Sequence, residues 1–267
     1  MARPPATGAL TGWENFWFEM AEPGIIFNFV KPLVRFFDRM PEMSLASADF
    51  VLKEALKAVK KEGRFSLALS GGTTPRELYQ LLSQPRFCQS FPWEKTHIFW
   101  GDERWTPKNN PDSNFLMAQD SLLSKIPLSK SQIHPLETEG IAPEKSAEEY
   151  EKLLKNFFTK KPGFDLMLLG IGPDGHTASI FPNGPAVGEK TRWVMFVPAP
   201  EGILPRVPRI TLTFPIINLS KKILFLSGLS AKEKVIFDIL ESKSSLPASR
   251  VQAQEETHFF IQGKKDS

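Results

Sequence analysis

Phe65-Ser66-Leu67-Ala68-Leu69-Ser70-Gly71-Gly72-Thr73-Thr74-Pro75-Arg76-Glu77-Leu78-Tyr79-Gln80-Leu81-Leu82 contains the change of period that decides the fold. Phe65–Leu69 is a short, mostly apolar run suited to a buried strand, whereas Leu78, Leu81 and Leu82 return at helical spacing. Between them, two glycines let the backbone approach a ligand closely. Pro75 suits a first helical turn, where a missing N–H costs nothing. Strand, glycine turn and helix in this order are the repeating unit of an α/β fold. The free N–H groups opening such a helix favour an anion, phosphate included. The lysine of a P-loop is missing, so a plain strand-to-helix turn explains this segment equally well on its own.

The same alternation extends in both directions. Leu33–Phe37 reads as a strand, and Leu45, Ala48, Leu52, Ala55, Leu56 and Val59 follow at helical spacing. Further short apolar runs occur at 98–100, Leu166–Leu169, Val194–Val197 and 223–226, and helical patterns at 76–82, 113–123, 147–158 and 232–240. This predicts an α/β class with a mostly parallel sheet flanked by helices on both faces, built as one domain from residue 31 to 267. In such a sheet ligands bind beyond the carboxyl ends of the strands, so the chemistry should follow each apolar run.

Composition narrows the class of protein. Of 267 residues 41% are apolar and 24% charged, and the net charge of +3 is spread along the chain with no basic block, so nucleic acid is not an implied partner. No run of 18 apolar residues exists, and the nearest, 24–37, is broken by Asn28, Lys31, Pro32 and Arg35, so no membrane span is expected. The single Cys88 cannot close an internal disulfide and suits a reducing compartment. Glu14, Glu19 and Glu22 argue against a transit peptide, which leaves the cytoplasm as the expected address.

Residues 1–30 stand apart as an aromatic-rich extension. Thr11 and Glu14 have the spacing of a capping box, Trp13, Phe16, Trp17 and Met20 fall on one helical face, and Pro23-Gly24 ends the pattern. A short helix packed on the domain is expected. A protein or surface contact through residues 13–20 is the second reading.

Three strand ends carry polar clusters. After 98–100 comes Gly101-Asp102-Glu103-Arg104, where Arg104 is shaped for bidentate binding of phosphate or carboxylate, and a solvated turn is the plain alternative. Asp112 or Ser113 is placed to cap the next helix. After Leu166–Leu169 comes Gly170-Ile171-Gly172-Pro173-Asp174-Gly175-His176-Thr177. It matches the dinucleotide fingerprint literally, but Pro173 removes a cradle N–H and Glu189 precedes the next apolar run instead of ending it. No nicotinamide cofactor is expected.

The loop does present Asp174 and His176 two residues apart among glycines, and an imidazole titrating near neutrality can serve as general base for water attack. His97 and His258 lie in strand-like runs and His134 precedes a proline, so all three read as structural, as does Cys88. Neither Gly-x-Ser-x-Gly nor a metal-ligand cluster is present in the sequence. Arg209 and Lys232 complete the candidates. If the strand order brings their segments together, Arg104, Arg209 and Lys232 would surround one anion.

These residues resemble those of the 6-phosphogluconolactonase family. The likeness rests on Ser70 to Pro75, on Gly101 to Arg104 with Asp112-Ser113-Asn114, on residues 169–182, and on residues 208–218, in the family's order. It implies metal-independent, cofactor-free hydrolysis of a phosphorylated sugar lactone on a modified Rossmann-like fold. His176 would then activate water, Asp174 and Asp102 would tune or orient the site, and Arg104 would stabilise the oxyanion. Ser70, Gly71, Gly72 and Thr73 would hold the phosphate with Arg209 and Lys232.

The family's lysine usually follows the glycine by three residues, whereas Lys232 follows Gly228 by four, which leaves Lys234 as an alternative. Related glucosamine-6-phosphate deaminases carry a glutamate five residues after the histidine and a tyrosine after the Asp-Glu pair. Here those positions are Phe181 and Arg104. A non-catalytic sugar-phosphate sensor is the other rival, but residues 1–32 are too short and too aromatic for its DNA-binding helix pair.

Overall fold

Continuous apolar runs form the centre of the sheet because both of their faces are covered. In the computed structural model, which describes residues 31–241 and 243–264, every residue of β2 (Phe65–Leu69) and β5 (Leu166–Leu169) is buried, as are six of the seven in β8 (Lys222–Gly228). With β1 (Leu33–Phe37), β3 (Thr96–Trp100) and β9 (Glu256–Gln262) they make a six-stranded sheet in the order β1-β9-β8-β5-β2-β3. All its pairings are parallel, and helices flank it. The α/β class read from the sequence is therefore the observed one. The helix expected within residues 1–30, and the contact through 13–20, lie outside the described residues.

The strand order locates the functional edge. From β2 the chain steps outward to β3, whereas β5, β8 and β9 run away on the other side of β2. The loops leaving β2 and β5 thus diverge at a topological switch point, where parallel sheets open a crevice.

Three strands form a second, antiparallel sheet in the order β4-β7-β6, from β4 (Asp102–Arg104), β6 (Val194–Val197) and β7 (Arg209–Leu212). Val194–Val197 was expected among the parallel strands. It pairs instead with β7, because a four-residue apolar run specifies burial and not direction. The charged Asp102-Glu103-Arg104 is a strand and not a solvated turn. Gly101 joins the two sheets: its N–H donates to Leu69 O at 2.9 Å and its carbonyl accepts from Leu212 N–H at 2.8 Å.

Helix ends follow local chemistry. The helix Asn114–Ser121 is capped by Ser113, whose Oγ accepts the Leu116 N–H at 3.2 Å, which decides between Asp112 and Ser113. Pro143–Phe157 starts earlier than its apolar pattern because Pro143 occupies its first turn, and Tyr150 from this helix accepts the Trp100 N–H at 3.0 Å. The long helix Met40–Glu62 buries Met43, Ser47, Ala48, Val51 and Ala55 and packs against β9 and the helix Thr73–Leu82.

The three histidines read as structural sit in packing roles. His97 Nδ1 and His134 Nε2 lie 3.1 Å apart beside Phe99 and Phe157, and burial pushes both pKa values down, that of His134 to about 4. His258 pairs with Glu256 at 3.0 Å and packs on Phe50. Among the described residues no helix is long and apolar enough to cross a membrane.

Candidate active site at the carboxyl edge of the sheet

The turn after β2 is pinned from two sides. Tyr79, one turn into the helix Thr73–Leu82, donates its hydroxyl proton to Ser70 O at 2.8 Å and accepts the Ser70 N–H at 3.0 Å. Burial raises that phenol well above its usual range, so it stays neutral. Gly71 lies against Asn114, whose Oδ1 would be 1.9 Å from any added Cβ, and Gly72 adopts φ +97°. Both places require glycine. The helix then opens at Thr73, and Ser70, Gly71, Gly72 and Thr73 line the crevice at its amino end, where the first N–H groups have no partner within the helix.

The small sheet brings the arginines together. In the β4–β7 register Arg104 lies directly opposite Arg209, and Asp102 opposite Thr211. Like charges in that relation repel, so the pairing is favourable only with negative charge nearby. Arg104 donates Nη1 to Asp112 O at 2.6 Å, while its Nε is buried without a partner among the described residues. Arg209 is only 2% exposed, and its Nη1 and Nη2 donate to the carbonyls of Val207 and Pro205 at 3.0 and 2.8 Å. Burial lowers its pKa, opposed by the charge of Asp102.

Glu103, between them, points away from this work. Its carboxylate accepts the N–H groups of Arg104, Asn114 and Phe115 at 2.7–2.8 Å, which fixes the start of the next helix. Asp102 accepts the Ser179 hydroxyl at 2.6 Å and lies near Asn114 Nδ2, and these are its described side-chain hydrogen bonds.

Asp174, and not Asp102, holds the histidine. Asp174 Oδ1 accepts the backbone N–H of His176 at 3.1 Å and lies 2.5 Å from its Nδ1. Burial acts to raise the Asp174 carboxyl, but the hydrogen bond and charge of His176 outweigh it and hold the carboxyl below its usual range. An ionised carboxylate only accepts, so Nδ1 carries a proton, which in the neutral ring puts the lone pair on Nε2. The ring lies over Gly172, where a Cβ would stand 2.1 Å from Nδ1, and its other side meets the Phe181 ring at 4.7 Å. Thr177 Oγ1 bonds Gly170 O at 2.9 Å, Ala178 takes φ +47°, and the Ser179 N–H reaches Thr211 Oγ1 at 3.0 Å, tying the loop to β7.

Lys232 enters from the end of β8. Ala231 turns the chain at φ +59°, and Lys232 Nζ donates to Ile171 O at 2.7 Å, with burial lowering its pKa. Lys234 is on the surface, 2.5 Å from Asp238, which separates the two candidates by position. Arg104, Arg209, Lys232 and His176 line one cleft of about 500 Å³ together with the Ser70–Thr73 turn and Asp102. None of the three cations forms a described ion pair with a carboxylate. Asp174 lies behind His176, on a neighbouring cavity of about 400 Å³.

All ten residues singled out in the sequence thus sit in or beside this crevice. Asn114, Ser179 and Thr211 tie its parts together; they lie inside the stretches that carry the family resemblance, but no role was read for them from sequence. The facing of Arg104 and Arg209 depends on a strand register that sequence spacing does not carry.

Residues 38–260 match the family described as glucosamine-6-phosphate isomerases/6-phosphogluconolactonase, and the chain belongs to that family. It is similar to a 6-phosphogluconolactonase of Synechocystis, with 39% identity over 77% of this chain and 85% of that one. It is also 34% identical to the chloroplastic 6-phosphogluconolactonase 3 of Arabidopsis thaliana, over 86% of this chain and 73% of the relative. The crystal structure of the Thermotoga maritima 6-phosphogluconolactonase superposes with a TM-score of 0.77 at 30% identity, covering 87% of this chain and all of that one.

Proposed function

We propose that this chain hydrolyses 6-phospho-D-glucono-1,5-lactone to 6-phospho-D-gluconate, the lactone step of the oxidative pentose phosphate pathway, with His176 activating the water. The observation that carries this reading is an imidazole tethered through Nδ1 to Asp174, in a cleft whose three cations have no carboxylate partner among the described residues. Such a cleft fits a dianionic phosphate at one end and a reaction that develops negative charge at the other.

The substrate phosphate lies on the N–H groups of Gly71, Gly72 and Thr73, with Arg209 and Lys232 supplying charge. The lactone carbonyl is thereby presented to His176 and Arg104. Nε2 of His176 takes a proton from water as the water oxygen bonds to the carbonyl carbon, and Asp174 stabilises the imidazolium that forms. The guanidinium of Arg104, which lines the cleft, meets the new oxyanion. Collapse breaks the bond to the ring oxygen, which receives the proton back from His176. The product acid then ionises to solvent. Asp102 holds Ser179 and so keeps the histidine loop against β7.

Phe181 and Arg104 favour hydrolysis over the deamination known in the same family. Phe181 packs on the imidazole where a deaminase would supply a glutamate. Turnover separates the enzyme from a sensor. With lactone generated in situ from glucose 6-phosphate and its dehydrogenase, the protein should accelerate lactone loss above the spontaneous rate, and His176→Ala should lower kcat by about a thousandfold. Folded wild-type protein that leaves the rate unchanged would overturn the assignment. We place the chain in the cytoplasm on its lone cysteine, which suits a reducing compartment, and recovery in an organelle on cell fractionation would overturn that reading.

A further inference from the structure

The connection from β6 to β7, residues 198–208, has no role in the scheme above, yet it forms a wall of the cleft. Gly202, Ile203 and Leu204 face the 500 Å³ cleft, and Pro198, Ala199, Pro200, Glu201 and Ile203 face the neighbouring 400 Å³ cavity. Ile203 lines both spaces, so this stretch is a partition with open volume on each side.

Its attachments are uneven. Apart from a turn at residues 201–202, the backbone of residues 198–204 makes none of the described hydrogen bonds, and Pro198 and Pro200 have no N–H to offer. Just beyond, the chain is tied down. The Val207 N–H donates to Pro205 O at 2.9 Å, the Trp105 N–H to Pro208 O at 2.8 Å, and the Arg209 guanidinium to both Pro205 O and Val207 O. The untethered part therefore ends at the carbonyls that aim Arg209. At that junction Leu204 is 85% exposed, the most exposed large apolar side chain among the described residues, although it stands on the cleft wall.

We infer that Leu204 covers the bound substrate: the 198–204 segment closes into the cleft, and Leu204 packs on the carbon-bearing face of the sugar ring. The inference rests on the lactonase reading and extends it to a specificity-determining residue. The cations of the cleft recognise phosphate and carbonyl, and its apolar lining residues Ile171, Phe181 and Leu226 are already buried in the domain. Leu204 is the apolar lining residue whose surface is free to meet the C–H face of the ring, and burying it there removes both surfaces from water. Because the foot of the segment holds Arg209, closure over the ring and grip on the phosphate are mechanically coupled.

Leu204→Ser is the direct test, since a side chain this exposed contributes little to folding and the melting temperature should not change. KM for the lactone and the dissociation constant of 6-phosphogluconate should each rise about fivefold to tenfold, with kcat within about twofold of wild type. Inhibition by inorganic phosphate, which has no ring to cover, should be unchanged. Leu204→Met should restore wild-type values. Equal 6-phosphogluconate affinity in wild type and Leu204→Ser, measured by calorimetry and so independent of turnover, overturns the inference. Wild-type protein that binds 6-phosphogluconate but does not hydrolyse the lactone overturns the lactonase reading alone.

Discussion

The two ends of the six-stranded sheet treat their charges in opposite ways. At the amino end, Lys221 lies 2.6 Å from Asp165 and also contacts Glu62, and Lys222 lies 2.7 Å from Glu256 and 3.2 Å from Glu54. Burial disfavours both ammonium groups, but these carboxylates outweigh it and raise both pKa values. At the carboxyl end, Lys232 has a backbone carbonyl as its described hydrogen-bond partner and its pKa falls, while Arg104 and Arg209 face each other across two strands. One set of charges is neutralised within the chain. The other has no described carboxylate partner, which under the proposed function leaves it for the ligand, and that contrast separates the two ends more sharply than the number of charges does.

The contrast is broken most severely by removing a cation that is internally paired. Lys222→Met takes from Glu54 and Glu256 the ammonium they share, leaving Lys57 and His258 as their described partners, and should cost about 3 kcal/mol of unfolding free energy in a denaturant titration, with kcat and KM of the folded enzyme unchanged. A loss of activity without a loss of stability would put Lys222 among the functional groups. At the other end, Arg104→Met should lower kcat about a hundredfold while the binding of 6-phosphogluconate changes little. A pure KM effect would move Arg104 from the oxyanion to the phosphate.

Lys232→Met should raise KM about tenfold and, by removing a desolvated charge, raise the melting temperature slightly. A lower melting temperature would mean that Lys232 is structural after all. The smallest effect concerns the packed histidines. His134 has a folded pKa of about 4, below its unfolded value, so its neutral form is favoured in the native state. Its contribution to stability is complete above about pH 6.5 and is lost as the pH falls through 4. Wild-type melting temperatures should therefore fall more steeply than those of His134→Phe between pH 6.5 and 4, and parallel profiles would exclude that titration.

What the sequence disclosed follows the range of the interactions involved. Strands β2, β5 and β8 were legible because burial on both faces demands uninterrupted apolar residues, and the glycines after β3 and β5 marked where backbone approaches closely. His176 and Asp174 were legible because their relation spans two residues of one loop. Strand β4 was not, since Asp102-Glu103-Arg104 has no strand pattern and owes its conformation to pairing with β7. For the same reason the facing of Arg104 and Arg209, the attachment of Asp102 to Ser179 and the placing of Lys232 over Lys234 needed coordinates. The wall at residues 198–204 was unreadable for a different reason: its character lies in having no described backbone hydrogen bond to another element.

Calorimetric titration of His176→Ala with 6-phosphogluconate tests the central claim most directly, because it separates the open cation site from the base beside it. One site with an affinity within about threefold of wild type, in a variant whose turnover is lost, is the predicted result. Loss of binding together with turnover would contradict it, making His176 part of the anion site and leaving the water without its base.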